Sequence, residues 1–334
     1  MERNPTVSAL ELFPNLKIVP SSVRLMDFQG EMSKVYSANS AIHGRVVVKT
    51  AFTEEGISQA GIDEIKRNLA GYKHIPSQFR PEVLGVGENS SILIMKHVGQ
   101  PIRDLFWINK HNISECETIV ANFKKNLAEL YKLSKKTSAN EECKTYLEKL
   151  VLKGNSFLRS EFFPEELRRG FGCITKLAFE ENENVGSFAN MDATQGNLLI
   201  DTLQTPPSLK LIDPKLPRST NGIENFTGIS EIDMGMFLVT VELNSPSVLQ
   251  HLGLETVLLS VGCTLHDDRE KVKFYLDVGK VFGCILIASF PNTVERVKIY
   301  LESFGVELSD DKLKDVITER KRHIDRAIKI VNNY

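Results

Sequence analysis

One change of periodicity constrains this chain more than anything else in it. Up to residue 98 the apolar residues come in short β-branched runs, "VRLMDF" (23–28), "KVYSA" (34–38), "RVVVKTAF" (45–52) and "SILIMKHV" (91–98), divided by the turn chemistry of "QGEMS" and "NSAIHG". Such runs predict an antiparallel sheet. Between the third and fourth runs, "GISQAGIDEIKRNLAGYKHI" sets Ile62, Ile65, Leu69 and Tyr72 at helical spacing, so one helix interrupts the sheet. From Gly99 onward the spacing is helical. Ile119, Phe123, Leu127, Leu130 and Tyr131 share one face of 117–135, and Arg269 to Phe290 forms a long apolar helix stopped by Pro291. Asn292 with Glu295 resembles a capping pair opening a helix through Phe304. Ser309 caps a last one whose stripe is Leu313, Val316, Ile317, Ile324, Ala327 and Ile328. At 334 residues the chain exceeds what a single core comfortably serves. The expectation is an α+β chain of two lobes: residues 1–98 a small antiparallel sheet with one helix, residues 99–334 larger and mainly helical.

Composition excludes several classes. Lys and Arg number 41 against 43 Asp and Glu, a net charge of -2 with no basic footprint for nucleic acid. The basic "ERKRHIDRAIK" interleaves its charges with an apolar stripe, as a solvated helix face does. Five scattered cysteines without a C-x-x-C or Cys/His spacing suggest neither disulfides nor zinc, and fit a reducing cytoplasm. The N-terminal residues carry no apolar core of signal-peptide type. The apolar run Val278 to Phe290 contains Lys280 and is too short to span a bilayer, so a buried core helix is expected and no membrane partner.

The polar chemistry gathers around "NMDATQGNLLID" (190–201) and "LKLIDPK" (209–215). Transfer of a phosphoryl group from ATP needs a backbone turn and a Lys on the phosphates, metal ligands, and a carboxylate that orients the attacking hydroxyl. Asp192 and Asn197 have the D-x-x-x-x-N spacing of a kinase catalytic loop, base and metal ligand respectively. Alone that spacing commonly marks a polar loop. Here two apolar runs follow it, pair around "TLQTPPS" as a hairpin, and deliver Asp213 to the same metal. Lys49 follows Val46, Val47 and Val48, the setting of a phosphate-binding strand lysine, though a surface lysine at a strand end has the same local sequence. Glu64, on the interrupting helix, is the candidate to pair with Lys49, with Glu54 and Glu55 as competitors. The turn "QGEMSKVYSA" offers Gly30 and Ser33 to phosphate oxygens; with one glycine it departs from G-x-G-x-x-G, and an ordinary hairpin turn stays open.

These segments resemble the catalytic and metal-binding segments of the aminoglycoside phosphotransferase and choline kinase family, whose fold is bilobal and protein-kinase-like. "SILIMKHVGQPI" is similar to that family's hinge. The resemblance implies Asp192 as catalytic base, Asn197 and Asp213 as Mg2+ ligands, Lys49 on the phosphates of ATP, and Met95, Lys96, His97 and Val98 as the hinge whose backbone reads the adenine. It implies for Asp233, in "EIDMGMFL", a brace beneath the catalytic loop; an acid at a helix N-terminus fits equally. Where the family usually has a His two residues before the catalytic Asp, this chain has Asn190. Nineteen residues separate Asp213 from Asp233 and no A-P-E follows, which leaves little room for a protein-kinase activation segment. The expectation is an ATP- and Mg2+-dependent phosphotransferase acting on a hydroxyl of a small molecule. Asn190 and the glycine-poor turn motivate a nucleotide-binding pseudokinase as the alternative, with a protein kinase behind it. Asp267, Asp268, Asp310 and Asp311 are candidates for lining a cationic acceptor by charge alone; such acids are more often solvated helix starts.

Overall fold

The computed structural model describes residues 10–26, 33–53, 56–109, 111–181, 183–189, 197–201, 207–214, 227–242, 251–289 and 310–334. The chain divides into two compact units, one of Met1–Gln100 with Leu199–Lys215, the other of Pro101–Leu198 with Leu216–Tyr334. The boundary lies two residues beyond that read from the periodicity, and the hairpin carrying Asp213 joins the N-terminal unit.

The first unit is built on a five-stranded antiparallel sheet. Its strands are β1 (Arg24–Leu25), β2 (Lys34–Ser40), β3 (Gly44–Thr50), β6 (Val83–Val86) and β7 (Ile92–Lys96), in the order β1-β2-β3-β7-β6. The pair β4 (Phe52–Thr53) and β5 (Gly56–Ile57) leads into helix α1 (Gln59–His74), which Ser58 caps by accepting from Gly61 N–H at 3.2 Å. Strand β6 has no counterpart among the predicted runs. It is four residues long, contains Gly85 and shifts register between Val83 and Gly85, so it lacks the alternation that marks a strand. Alternation is what orients β3: Val46 and Val48 enter a core with Tyr36, Ala38, Ile92 and Ile94, while Lys49 emerges on the opposite face, where α1 meets it.

A second small sheet, in the order β12-β11-β8, combines β8 (Gln100–Pro101), β11 (Leu198–Asp201) and β12 (Ser208–Leu211). Gly99 just before β8 has a φ of 57°, and a Cβ there would collide with the backbone of Ile200, so the close approach requires glycine twice over. Lys210 adds a bond from its ammonium to the carbonyl of Gln78 at 2.7 Å.

The second unit is helical: α2 (Ile102–Ile108), α3 (Ile113–Ser134), α4 (Asn140–Leu158), α5 (Glu165–Glu180), α6 (Ser230–Glu242), α7 (Leu254–Gly262), α8 (Arg269–Ser289) and α9 (Asp310–Val331). A three-stranded sheet, in the order β13-β10-β9, joins β9 (Lys136–Thr137), β10 (Val185–Phe188) and β13 (Thr227–Gly228). The helix expected from Asn292 to Phe304 and the Ser309 cap lie outside the described residues. Asp268, a solvated helix start in one reading of the sequence, accepts from Glu270 and Lys271 N–H at 2.9 and 3.1 Å and caps α8. No helix among the described residues is long and apolar enough to cross a membrane.

The centre of this unit is the α6–α8 contact. Residues 230–241 of α6 are all buried, as is α8 from Tyr275 to Ala288. Two glycines make the approach possible, since a Cβ on Gly235 would strike the carbonyl of Leu276 and one on Gly279 the carbonyl of Ile232. Backbone thus meets backbone, and no side chain can move aside. Gly279→Ala is expected to destabilise the protein by about 2 kcal/mol or more, overpacking outweighing the roughly 1 kcal/mol that Ala gains over Gly in a helix; urea denaturation measures it.

Beside that contact lies a buried polar cluster. His266 stands 3.2 Å from Glu231 and 3.8 Å from Glu183, and Lys271 reaches Glu183 at 2.9 Å. Glu183 also accepts the N–H groups of Asn184 and Val185, both at 2.8 Å. Burial pushes the imidazole down, but Glu231 and Glu183 together outweigh it and hold His266 above its ordinary 6.5. A raised folded pKa contributes stability that is complete below the unfolded value and lost as pH rises through the folded one. The stability advantage of the parent over His266→Gln should therefore be largest near pH 6 and shrink as pH rises, which thermal midpoints of the two proteins across that range measure.

Candidate active site

Lys49 is the site's centre. Its side chain is buried, and its ammonium bonds Glu64 Oε1 at 3.0 Å, Asn68 Oδ1 at 2.8 Å and Asp213 Oδ1 at 2.7 Å. All three donors of the ammonium are engaged. The four residues come from β3, α1 and the segment after β12, all within the first unit. A lysine withdrawn from water needs such compensation, because an unpaired buried charge is strongly unfavourable.

The backbone at Asp213 is unusual. Its φ of 49° is left-handed, uncommon for a residue with a side chain, and the residue before a proline is ordinarily extended. Such conformations persist where surroundings over-determine them, and they concentrate at functional sites. Here the surroundings are explicit: Asp213 N–H donates to Tyr72 Oη at 3.3 Å, Asn68 Nδ2 donates to the carbonyl of Pro214 at 3.4 Å, and the carboxylate holds Lys49. Burial, reinforced by the charge of Asp213, pushes the Tyr72 phenol up, so it stays protonated.

Of the residues named from sequence, the structure brings Lys49, Glu64 and Asp213 together. Glu64 occupies the place for which Glu54 and Glu55 competed; those two lie outside the described residues. Asp192, Asn190 and Gly30 lie outside them as well. Asn197 is half-buried, directly ahead of β11 and in the second unit. Ser33 is buried, and its hydroxyl has no hydrogen-bond partner among the described residues. In the hinge segment Met95 and Val98 are buried; the N–H groups of Lys96 and His97 donate to Glu82 and Arg45 carbonyls at 2.9 and 3.1 Å, so those two donors are used within the first unit. Lys96, His97 and Val98 line a charged cleft with Arg80, Glu82, Asp201 and Lys210, which none of Lys49, Glu64 or Asp213 lines. Asp233, in the second unit, is buried on α6 and accepts from Tyr146 Oη at 2.7 Å.

Asn68 and Tyr72 were not foreseen as site residues. The signal was there: Glu64, Asn68 and Tyr72 follow one another at four-residue steps, one face of α1. Tyr72 also fits the apolar stripe with Ile62, Ile65 and Leu69, and Asn68 has no sequence pattern of its own.

A metal bound to ATP phosphates is what the resemblance calls for, and the residues present suit it. The Asp213 carboxylate supplies hard oxygen donors of the kind Mg2+ takes, and the Lys49 ammonium beside it suits phosphate. Among the described residues no group of three or more His, Cys, Asp or Glu side chains could hold a metal unaided. Mg2+ characteristically uses one or two carboxylates and completes its shell with water and phosphate oxygens.

No protein-family model matches the chain, and no curated protein does. Solved structures do resemble it. An ADP-bound aminoglycoside phosphotransferase, APH(2'')-Ib, is 15% identical over 98% of this chain and 99% of its own, with a TM-score of 0.53. A protein from Thermobifida fusca YX-ER1 assigned as a fructosamine-3-kinase is 12% identical over 98% and 99%, with a TM-score of 0.54. At such identities the likeness concerns the fold: the chain has an α+β, protein-kinase-like fold, with a small N-terminal sheet and a larger helical part.

Proposed function

We propose that the protein is an ATP- and Mg2+-dependent phosphotransferase of the aminoglycoside phosphotransferase and choline kinase type, acting on a hydroxyl of a small molecule. The observation that carries this reading is the joining of Lys49 to both Glu64 and Asp213, at 3.0 and 2.7 Å. A strand lysine held by a helix glutamate beside a metal-binding aspartate is the arrangement that phosphoryl transfer uses in kinases. The relatives in fold include an enzyme that phosphorylates aminoglycosides by its name, and the short span from Asp213 to Asp233 favours a small acceptor over a protein.

In this reading Asp213 and Asn197 hold the metal, which when bound neutralises charge on the phosphates. Lys49 binds the phosphates by turning one of its three donors from its present acceptor to a phosphate oxygen, while Glu64 keeps the ammonium oriented. Gly30 and Ser33 offer contacts to the phosphate oxygens, and the Met95 to Val98 segment meets the adenine. Asp192 accepts the proton of the attacking hydroxyl. Little covalent work falls to the chain; its contribution is positioning and electrostatics.

The test is the Asp192→Asn variant, with a panel of hydroxylated metabolites and aminoglycosides as acceptors and ATP consumption as readout. Turnover should fall by about 10³-fold or more while MgATP still raises Tm, since loss of the base leaves binding intact. Undiminished turnover would exclude Asp192 as base. A parent protein whose Tm responds to ATP equally with and without Mg2+, and which consumes none with any acceptor, would be the pseudokinase instead.

A further inference from the structure

Helix α1 presents Glu64, Asn68 and Tyr72 one turn apart, and all three are buried: 8%, 1% and 2% exposed. A buried polar residue on a helix must find partners, and these three find theirs at the Lys49 ammonium and the Asp213–Pro214 backbone. Glu64 takes the Lys49 ammonium. Asn68 takes it too, through Oδ1 at 2.8 Å, while its Nδ2 donates to the carbonyl of Pro214 at 3.4 Å. Tyr72 accepts the N–H of Asp213 at 3.3 Å. The helix therefore grips the Asp213 segment on both sides of the carboxylate, by the amide before it and the carbonyl after it. It also supplies two of the three acceptors of Lys49.

The residue types suit these tasks. Asparagine can accept from a cation and donate to a carbonyl at once. Aspartate would crowd a third carboxylate against Glu64 and Asp213, and leucine of similar volume would leave one ammonium donor and one carbonyl without partners. The tyrosine hydroxyl satisfies an amide whose left-handed backbone no strand or helix could pair.

We propose that Asn68 and Tyr72 are positioning residues for phosphoryl transfer: together they lock the Lys49 ammonium and the Asp213 carboxylate to one helix, so that the phosphate-binding cation and the metal ligand keep a single mutual placement. This rests on the phosphotransferase reading above. Lys49 and Asp213 do the chemistry's electrostatic work in that reading; Asn68 and Tyr72 act through them.

Two variants test it. Tyr72→Phe removes one oxygen from a buried ring and preserves packing; Asn68→Leu removes both amide contacts at similar volume. For parent and variants, Tm is measured with ATP at increasing Mg2+, giving the half-saturating Mg2+ concentration, and kcat and KM are measured with the best acceptor. With misplacement of a reacting group by about 1 Å costing up to about 10²-fold, kcat should fall about 10-fold for Tyr72→Phe and about 10- to 100-fold for Asn68→Leu. KM for the acceptor should stay unchanged. Half-saturating Mg2+ should rise several-fold in Tyr72→Phe, because Asp213 then loses the phenol that accepts its N–H. A lower Tm with parental Mg2+ requirement and kcat would make both residues merely structural and overturn the proposal. Should Asn68→Leu not fold, Tyr72→Phe decides alone. A parent showing neither turnover nor Mg2+-dependent stabilisation overturns the phosphotransferase reading itself, whereas a responsive parent matched within twofold by both variants overturns only the roles of Asn68 and Tyr72.

Discussion

A lysine ammonium taken out of water organises the N-terminal unit. Burying a charge is unfavourable by several kcal/mol unless it is paired and hydrogen-bonded, so Lys49 can face inward only where three acceptors meet it. Those acceptors come from α1 and from the segment after β12, 15, 19 and 164 residues along the chain. Sheet, helix and returning hairpin are thereby interdependent. If α1 shifted by a turn, Lys49 would lose two partners and Asp213 the phenol that supports its backbone.

The return of 199–215 to the first unit follows from local chemistry as much as from Lys49. Gly99 lets the chain pass against Ile200 without a Cβ between them, and the Lys210 ammonium reaches the Gln78 carbonyl. Burial lowers the affinity of Lys210 for its proton, with Asp201 acting in the opposite direction. Such contacts hold the chain on the approach to Asp213, whose left-handed backbone is thus flanked by fixed neighbours. Strain of about 1 kcal/mol or more at such a residue is tolerable when neighbours on both sides are fixed.

The helical unit solves a different problem. It presents α6 and α8 to each other through Gly235 and Gly279, with the two backbones in contact, and surrounds them with apolar side chains from α4, α5 and α9. Among its described residues, buried ionisable groups answer one another in two places: His266 with Glu231 and Glu183, and Lys280 with Asp277 and Glu255 at 2.6 Å each. Lys280 was the residue that spoke against a membrane span, and the structure places it in an ion pair within a core helix.

Sequence alone determined the division into strand-period and helix-period halves, the Val-Val-Val strand that leads to Lys49, and the helix bearing Glu64, because each is a local repeat that can be counted. Spacing likewise nominated Asp213. Tertiary structure decided the rest: β6, too short and irregular to show a period; the unit to which the hairpin belongs; and above all Asn68 and Tyr72. A buried asparagine and a surface one read alike in a sequence. Only the arrival of Lys49 and Asp213 from elsewhere in the chain gives their hydrogen bonds a direction, and it is convergence of distant segments, which no local pattern encodes, that turns them into parts of a site.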